Sequence, residues 1–203
     1  MEALLGQCRC LAALAEWDKL FLVCQQQWTR VEPHVRREMA PIAAHAAWQL
    51  GDWQHMKQYV DVVNHGHSGT GSSEGSFLSA VLHVKNGDYH AAQRSVERAR
   101  ELLGTELAAL VGESYERAYG DMVRVQQLTE LEEILTVKQT ELTPVNGELG
   151  RSAHVKRLTQ EMWNGRLKGV QRNVEVWQAL LRWRRACLVP GCQRSCFCRY
   201  CPD

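Results

Sequence analysis

An aromatic residue recurs every 36 residues, at Trp17, Trp53 and Tyr89. Apolar side chains recur at the same offsets from each one: Leu20, Met56 and Ala92 three residues later, Cys24, Val60 and Val96 seven later, and Val63 and Ala99 ten later, where only Gln27 breaks the apolar match. Offsets of three, seven and ten trace one face of an α-helix. A self-similar period of about 30 to 40 residues is typical of helix pairs that stack into a solenoid. The repeat therefore predicts an all-α fold of tetratricopeptide-like helix pairs that form a short α-solenoid.

The composition excludes several classes of protein. Lys and Arg number 24 against 23 Asp and Glu, so the net charge of +1 argues against a nucleic-acid-binding surface, which needs a basic stripe. The sequence has no run of 18 apolar residues, so we expect no membrane span. Glu2 stands where a signal peptide carries basic charge. We expect a cytoplasmic protein, with the nucleus as an alternative compartment.

Helical periodicity predicts about eight to ten helices in antiparallel pairs, with no convincing strand. Predicted helical segments are 2–15, 17–28, 33–50, 52–63 and 77–85, and a further helix follows Asp88, which we expect to cap it. Pro41 predicts a kink or an interrupted start. Thr105 is expected to cap a helix, and Gly120 to mark a break. Residues 65–75 and 143–150 are expected to be loops because they are rich in turn residues.

The last helix pair has an apolar stripe on each predicted member: Val155, Leu158 and Met162 on one, and Val170, Val174, Trp177 and Leu181 on the other. Leu180 and Trp183 lie off the second stripe. Since a repeat cannot bury two apolar faces alone, we expect these two side chains to turn toward a neighbour that the chain does not encode. The array would then be part of a longer one.

The sequence predicts no catalytic and no cofactor-binding residue. It has no Gly-Lys-Ser/Thr phosphate loop, and neither the His-Arg-Asp nor the Asp-Phe-Gly triplet of protein kinases. The histidines His65 and His67 are expected to be solvated rather than to bind a metal. The adjacent carboxylates Glu132 and Glu133 are expected on a solvated helix face. A basic cluster near the end is either a solvated face or a surface for an acidic partner; it comprises Arg166, Lys168, Arg172, Arg182, Arg184 and Arg185.

Eight cysteines divide into two groups. Cys8, Cys10 and Cys24 fall in helical pattern and are expected to be small buried side chains. The other five lie between Cys187 and Cys201, and four of them offer the thiolates of a zinc site: Cys192, Cys196, Cys198 and Cys201. That site would compress four ligands into ten residues, whereas zinc knuckles separate two Cys-x2-Cys pairs. We therefore predict no metal site, and a tail at 191–203 that is not part of the helical array.

Longer stretches resemble a known family. These are residues 46–53, 102–110, 112–120, 122–128, 130–134 and 166–178. Together they are similar to the FAT domain of the target-of-rapamycin (TOR) kinases, which belong to the phosphatidylinositol-3-kinase-related protein kinases. The resemblance covers residues 1–190, and residues 191–203 depart from it. It implies an α-solenoid that clamps and regulates a kinase domain without performing phosphoryl transfer, with that kinase domain and the subunits of TOR complexes as partners.

Two other interpretations remain open at this point. A free-standing tetratricopeptide-type adaptor would bind peptides in a concave groove, usually through Lys, Arg and Asn of neighbouring repeats. The inner repeat positions here are mostly Ala, Leu and Val, which weakens that interpretation. Alternatively, the chain is a truncated and inactive product of a gene that encodes the kinase.

Overall fold

The computed structural model describes residues 2–65, 72–111, 114–142, 149–169, 180–181 and 184. These residues form helices without a strand, which confirms the all-α prediction. The helices are α1 (Glu2–Ala13), α2 (Trp17–Gln27), α3 (Pro33–Leu50), α4 (Trp53–His65), α5 (Ser73–Asn86), α6 (Tyr89–Val111), α7 (Tyr115–Leu142) and α8 (Leu149–Gly169). Consecutive helices pack against one another from α1 to α8. Residues 180, 181 and 184 are also helical.

The 36-residue pattern lies on the buried faces of α2, α4 and α6. The side chains three and seven residues after each aromatic are all buried; they are Leu20, Met56, Ala92, Cys24, Val60 and Val96. The aromatics Trp17, Trp53 and Tyr89 are half-buried and pack against the edge of the same core. The periodicity therefore correctly predicts which face of each helix is buried.

Within each of the first three helix pairs, the turn that joins the two helices has the same backbone geometry. Gly51 and Gly87 adopt positive φ angles of 75° and 77°. At the first of them, the Gly51 amide donates to the Trp48 carbonyl (3.0 Å), and the Asp52 amide donates to the Ala47 carbonyl (2.9 Å). These two bonds make a Schellman motif, which satisfies the last carbonyls of a helix.

Ala15 occupies the equivalent turn position in the first pair, 36 residues before Gly51. Its φ of 57° is also positive, and the same two hydrogen bonds form, from Ala15 to Ala12 and from Glu16 to Leu11. The repeat thus extends to backbone conformation.

The next helix of each pair begins at an aspartate where the sequence provides one. The Asp52 carboxylate accepts from the His55 amide (3.1 Å), and the Asp88 carboxylate accepts from the Ala91 amide (2.9 Å). Both bonds satisfy a free N–H of a first helical turn. The predicted Asp88 cap is confirmed, whereas Glu16 makes no such side-chain bond.

Several predicted boundaries are wrong. Helix α3 begins at Pro33 and continues through Pro41, so the interrupted start is wrong, and α7 continues through the predicted break at Gly120. Packing on both sides outweighs the local preference of one residue. Thr105 does not cap a helix; its hydroxyl donates to the Glu101 carbonyl inside α6 (3.2 Å). Helix α5 starts four residues before the predicted Phe77, because Ser72 caps it by accepting from the Gly75 amide (2.9 Å).

The predicted apolar stripe of α8 is displaced. Leu158 and Met162 are 47% and 41% exposed, whereas Thr159 and Trp163 are buried. Leu50, at the end of α3, is also 40% exposed. Hydrophobicity alone does not identify the contacting face of a helix when polar residues pack on a neighbour.

Two further single-residue predictions are wrong. Cys10 is exposed, although Cys8 and Cys24 are buried as predicted. Leu180 is fully buried within this chain, so it does not face a neighbour that the chain lacks. Trp183, the stripe at 170–177, residues 66–71 and 143–148 and the tail at 191–203 lie outside the described residues.

Candidate functional site

Helix α7 carries charged side chains that reach other helices on several sides. Arg124, Glu130, Glu132 and Glu133 each make an ion pair with a residue at least 32 positions away in sequence. If the array acts as a scaffold, these junctions fix the helices of its second half relative to one another.

The first junction joins α3, α5 and α7 at the Glu74 carboxylate. One Glu74 oxygen lies 2.5 Å from His45 Nε2, and the other accepts from Arg124 Nη2 at 2.5 Å. The Arg124 guanidinium also lies 4.5 Å from the centre of the Phe77 ring. Burial opposes ionisation of Glu74, but the charge of Arg124 and the hydrogen bond from His45 outweigh it and lower its pKa to about 2. The carboxylate is therefore ionised at neutral pH.

The second junction joins α7 to α8 through Glu133. Arg166 donates to both Glu133 oxygens (2.6 and 2.9 Å), and Trp163 Nε1 donates to the same carboxylate (2.6 Å). The hydrogen bond to Glu133 raises the pKa of Arg166. The two-point contact fixes orientation as well as distance, since both guanidinium nitrogens are held.

The third junction is the most buried. Arg184 donates to both oxygens of Glu130 at 3.0 and 2.6 Å, with side-chain exposures of 8% and 0%. A further Arg184 nitrogen donates to the Trp163 carbonyl (3.0 Å), and the guanidinium lies 5.2 Å from the Trp163 ring centre. A buried ion pair needs such additional hydrogen bonds, because desolvation of both charges offsets much of their attraction.

A fourth pair, between Arg100 of α6 and Glu132 of α7, is also bidentate at 2.7 and 2.9 Å. With side-chain exposures of 43% and 29% it is screened by solvent and contributes less to stability. The pair still fixes the position of α6 along α7, because both guanidinium nitrogens must reach the same carboxylate.

These junctions correct two sequence predictions. Glu132 and Glu133 are only partly exposed and are paired with arginines of neighbouring helices, and Arg166 and Arg184 are themselves paired with glutamates of this chain rather than free for an acidic partner. Of the other members of the basic cluster, Lys168 is exposed, whereas Arg172, Arg182 and Arg185 lie outside the described residues. The sequence feature that indicates these junctions is the spacing of Glu130 and Glu133, because residues three apart share a helix face and can contact the same neighbour.

The first half of the array has a smaller polar link between α2 and α4. His55 Nδ1 lies 2.8 Å from an Asp52 oxygen, and His55 Nε2 lies 3.3 Å from the Gln25 side-chain nitrogen. Burial alone would raise the pKa of Asp52, but hydrogen bonds from His55 outweigh it and lower the pKa. The imidazole and the Phe21 ring are nearly perpendicular, with ring centres 5.4 Å apart. These polar contacts join two repeats, and Asp52, the capping residue of α4, holds the His55 ring in place.

The described residues contain no group of three or more His, Cys, Asp or Glu side chains placed to hold a metal ion. The weak candidate His65 contacts the carbonyl of Asp61 one turn back (2.6 Å). His67 and the four tail cysteines considered for zinc, Cys192, Cys196, Cys198 and Cys201, lie outside the described residues. No helix in the described ranges is long and apolar enough to cross a membrane.

Comparison with known proteins identifies the family. The family model of the FAT domain matches residues 40–196. The chain belongs to the FAT domain family. Over 98% of its length it is 48% identical to the serine/threonine-protein kinase TOR of Oryza sativa subsp. japonica, and over 94% it is 48% identical to that of Arabidopsis thaliana. It is also 40% identical, over 94% of its length, to the serine/threonine-protein kinase TOR2 of Saccharomyces cerevisiae.

The FAT segment is short relative to these proteins. It spans 8% of the length of each plant kinase and 7% of the yeast kinase. The predicted resemblance to the FAT domain of TOR kinases is confirmed. The match ends at residue 196, within the tail that begins at residue 191. The division into a FAT-type array at 1–190 and a tail at 191–203 stays a prediction.

Proposed function

We propose that this FAT segment is a structural and regulatory part of a TOR-like serine/threonine protein kinase. In this role it supports and restrains a kinase domain of the same polypeptide and takes part in TOR signalling. The observation that carries the proposal is the 48% identity over 98% of the chain to the rice TOR kinase. The sequence lacks the phosphoryl-transfer motifs, so its contribution would be mechanical rather than chemical.

The architecture suits a support. In the first half, α3 packs through small buried side chains: Ala40, Ala43, Ala44, Ala46 and Ala47. Alanines let helices approach closely and leave few alternative rotamers. In the second half, bidentate ion pairs from α7 fix both distance and register. We expect an array joined in this way to transmit a displacement of one helix to the next, because close-packed interiors transmit strain.

The partners follow from this proposal. We expect the kinase domain of the parent protein and the subunits of TOR complexes to contact the array in the cytoplasm, with the nucleus as an alternative compartment. We expect no nucleic-acid partner, because the net charge is +1. The adaptor interpretation is not favoured, because the chain matches one continuous segment of long kinases.

A segment exchange in Saccharomyces cerevisiae tests the proposal. The segment of TOR2 equivalent to residues 1–190 is replaced by these residues, in cells that depend on that TOR2 gene for growth. We expect the chimera to support growth, and Arg184→Ala in the chimera to weaken it. The control is Arg157→Ala, since Arg157 makes an exposed pair with Glu161.

Two results would contradict the proposal. One is a chimera that accumulates at the normal level but does not support growth. The other is rescue by the separate chain of cells whose TOR2 lacks the segment, which would favour a free-standing adaptor.

A further inference from the structure

Two buried thiols face each other inside the first helix pair. Cys8 of α1 and Cys24 of α2 are both 0% exposed, and both belong to the apolar core. Both are free thiols, as is Cys10, which lies two residues after Cys8 and is exposed. The chain therefore carries a buried pair and an exposed single thiol within one helix hairpin.

The repeat explains why the two sulfurs meet. Cys8 and Cys24 correspond to Ala44 and Val60 in the second helix pair, 36 residues on, and to Ala80 and Val96 in the third. All four of these side chains are buried in the core. The positions therefore lie on the core-facing sides of the two helices of each pair. In the first pair alone both positions carry sulfur, and the two thiols are within hydrogen-bonding contact.

We propose that Cys8 and Cys24 are a redox modification site, and that hydrogen peroxide converts them to a disulfide that ties α1 to α2. One of the two sulfurs, as the thiolate, attacks one peroxide oxygen, the O–O bond breaks, and a sulfenic acid and hydroxide form; the hydroxide takes up the proton that this thiol released and becomes water. The other sulfur then attacks the sulfenic sulfur, the S–O bond breaks, and the departing hydroxide leaves as a second water with the proton of the second thiol. Two thiols and one peroxide thus give one disulfide and two waters, and a thiol reductant such as glutathione reverses the change.

The two thiols share one hydrogen bond, and burial opposes ionisation of both. The thiolate is the nucleophile, so neither sulfur reacts while it stays buried and protonated. Because both sulfurs are buried, the peroxide reaches them when α1 opens locally from α2 and α3, against which it packs. Reaction should therefore be slower than at exposed Cys10.

Peptide mapping provides the test. Arg9 and Lys19 place Cys8, Cys10 and Cys24 in three different tryptic peptides. The chain is treated with hydrogen peroxide, remaining thiols are alkylated under denaturing conditions, and non-reducing digests are analysed by mass spectrometry. We expect a linked peptide that joins Cys8 to Cys24 and disappears after reduction. The variant Cys10→Ser should retain it, and Cys8→Ala should lose it.

The variant Cys8→Ala also controls for folding, because alanine occupies the equivalent positions Ala44 and Ala80. Its circular dichroism should match that of the parent chain. The linked chain should melt roughly 6–12 °C higher than the reduced one, since closing a loop of about 15 residues stabilises a domain of this size to that extent. Recovery of Cys8 and Cys24 as alkylated thiols after Cys10 is fully oxidised would overturn the proposal. Linkage of either one to Cys10 or to a tail cysteine would do the same.

Discussion

At the scale of single residues, the three equivalent turns differ in whether the residue at the turn carries a Cβ atom. Ala15, Gly51 and Gly87 all adopt the left-handed backbone conformation. A Cβ atom in this conformation costs about 1–2 kcal/mol, which glycine avoids. The first turn therefore carries a strain that the second and third do not, although the hydrogen bonds of all three are the same.

Replacement of Ala15 by glycine should stabilise the protein. We expect Ala15→Gly to raise the free energy of unfolding by about 0.5–1 kcal/mol, because relief of strain exceeds the greater entropy of glycine in the unfolded chain. Gly87→Ala should lower it by about the same amount, since a Cβ there meets no atom within 4 Å and the cost is conformational alone. Urea denaturation of the two variants measures both effects. Shifts of the same sign would show that the turns are not equivalent.

Two helical glycines should respond in opposite directions to alanine. In α5, a Cβ on Gly75 would lie 2.5 Å from Asn64 Oδ1 and 3.0 Å from Val63 Cγ1, so Gly75→Ala should destabilise the protein by roughly 1–3 kcal/mol. In α6, Gly104 has open space around its Cα, and Gly104→Ala should stabilise by about 1 kcal/mol. Thermal melts of both variants test the difference, and destabilisation by Gly104→Ala would mean that α6 is crowded there.

At the scale of helices, α7 contacts its neighbours through ion pairs, whereas α3 packs on its neighbours through buried alanine side chains. The Glu130–Arg184 pair is buried, the Glu133–Arg166 pair is partly buried, and Glu74–Arg124 extends the same pattern to α5. Buried ion pairs contribute little net stability relative to apolar residues, but loss of one partner leaves an uncompensated charge. Helix α7 is thus the element most sensitive to single charge removals.

Removal of Arg184 alone should be costly. We expect Arg184→Ala to lower the free energy of unfolding by about 3–5 kcal/mol, because Glu130 is left buried without its partner. The double variant Glu130→Leu with Arg184→Leu should recover most of this loss. The exposed control Arg157→Ala should change stability by less than about 0.5 kcal/mol. If Arg184→Ala proved as mild as the control, the third junction would be solvated in solution.

The Glu74 junction predicts a loss of stability in acid. Its folded pKa of about 2 is below its ordinary value of 4.5, so its contribution is complete above pH 4.5 and disappears as the pH falls toward 2. Glu74→Gln cannot ionise and should lower the urea midpoint at pH 7. The difference between parent and variant midpoints should shrink at pH 3. A difference that stays constant from pH 7 to pH 3 would show that ionisation of Glu74 does not stabilise the junction.

The sequence predicts the buried side chains of the helices that repeat, but it does not predict the contacts of the helices that differ from the repeat. The offsets from Trp17, Trp53 and Tyr89 identify buried positions because three copies carry the same signal. The partners of Glu130 and Glu133 could not be identified, since they lie 54 and 33 residues away and no period relates them. The burial of Trp163 in place of Met162 depends on the same contacts, because the Trp163 ring lies under Arg184.

At the scale of the whole molecule, each helix packs mainly on its neighbours in sequence. Stability in such an array is approximately a sum of local terms and nearest-neighbour interfaces. Damage in one pair should therefore weaken that pair and the next without unfolding the far end. This property distinguishes an array from a domain with one central core.

Hydrogen exchange tests that locality. Leu20 is fully buried in α2, and we expect Leu20→Ala to accelerate amide exchange in α1, α2 and α3 while exchange in α8 stays unchanged. Leu22 is 54% exposed on the same helix, so Leu22→Ala should leave every helix unchanged. Uniform acceleration along the chain after Leu20→Ala would show that the array unfolds as one cooperative unit.

The continuous path of α3 through Pro41 determines which changes of chain length the protein tolerates. Pro41 cannot donate to the carbonyl of Arg37, yet the helix continues from Pro33 to Leu50 without a break. A single residue inserted in this helix before Ala46 would rotate all later side chains by about 100°. Ala46 and Ala47 would leave the core, and Gly51 would leave the turn that starts α4. Within α3, insertions and deletions should therefore be far more harmful than substitutions.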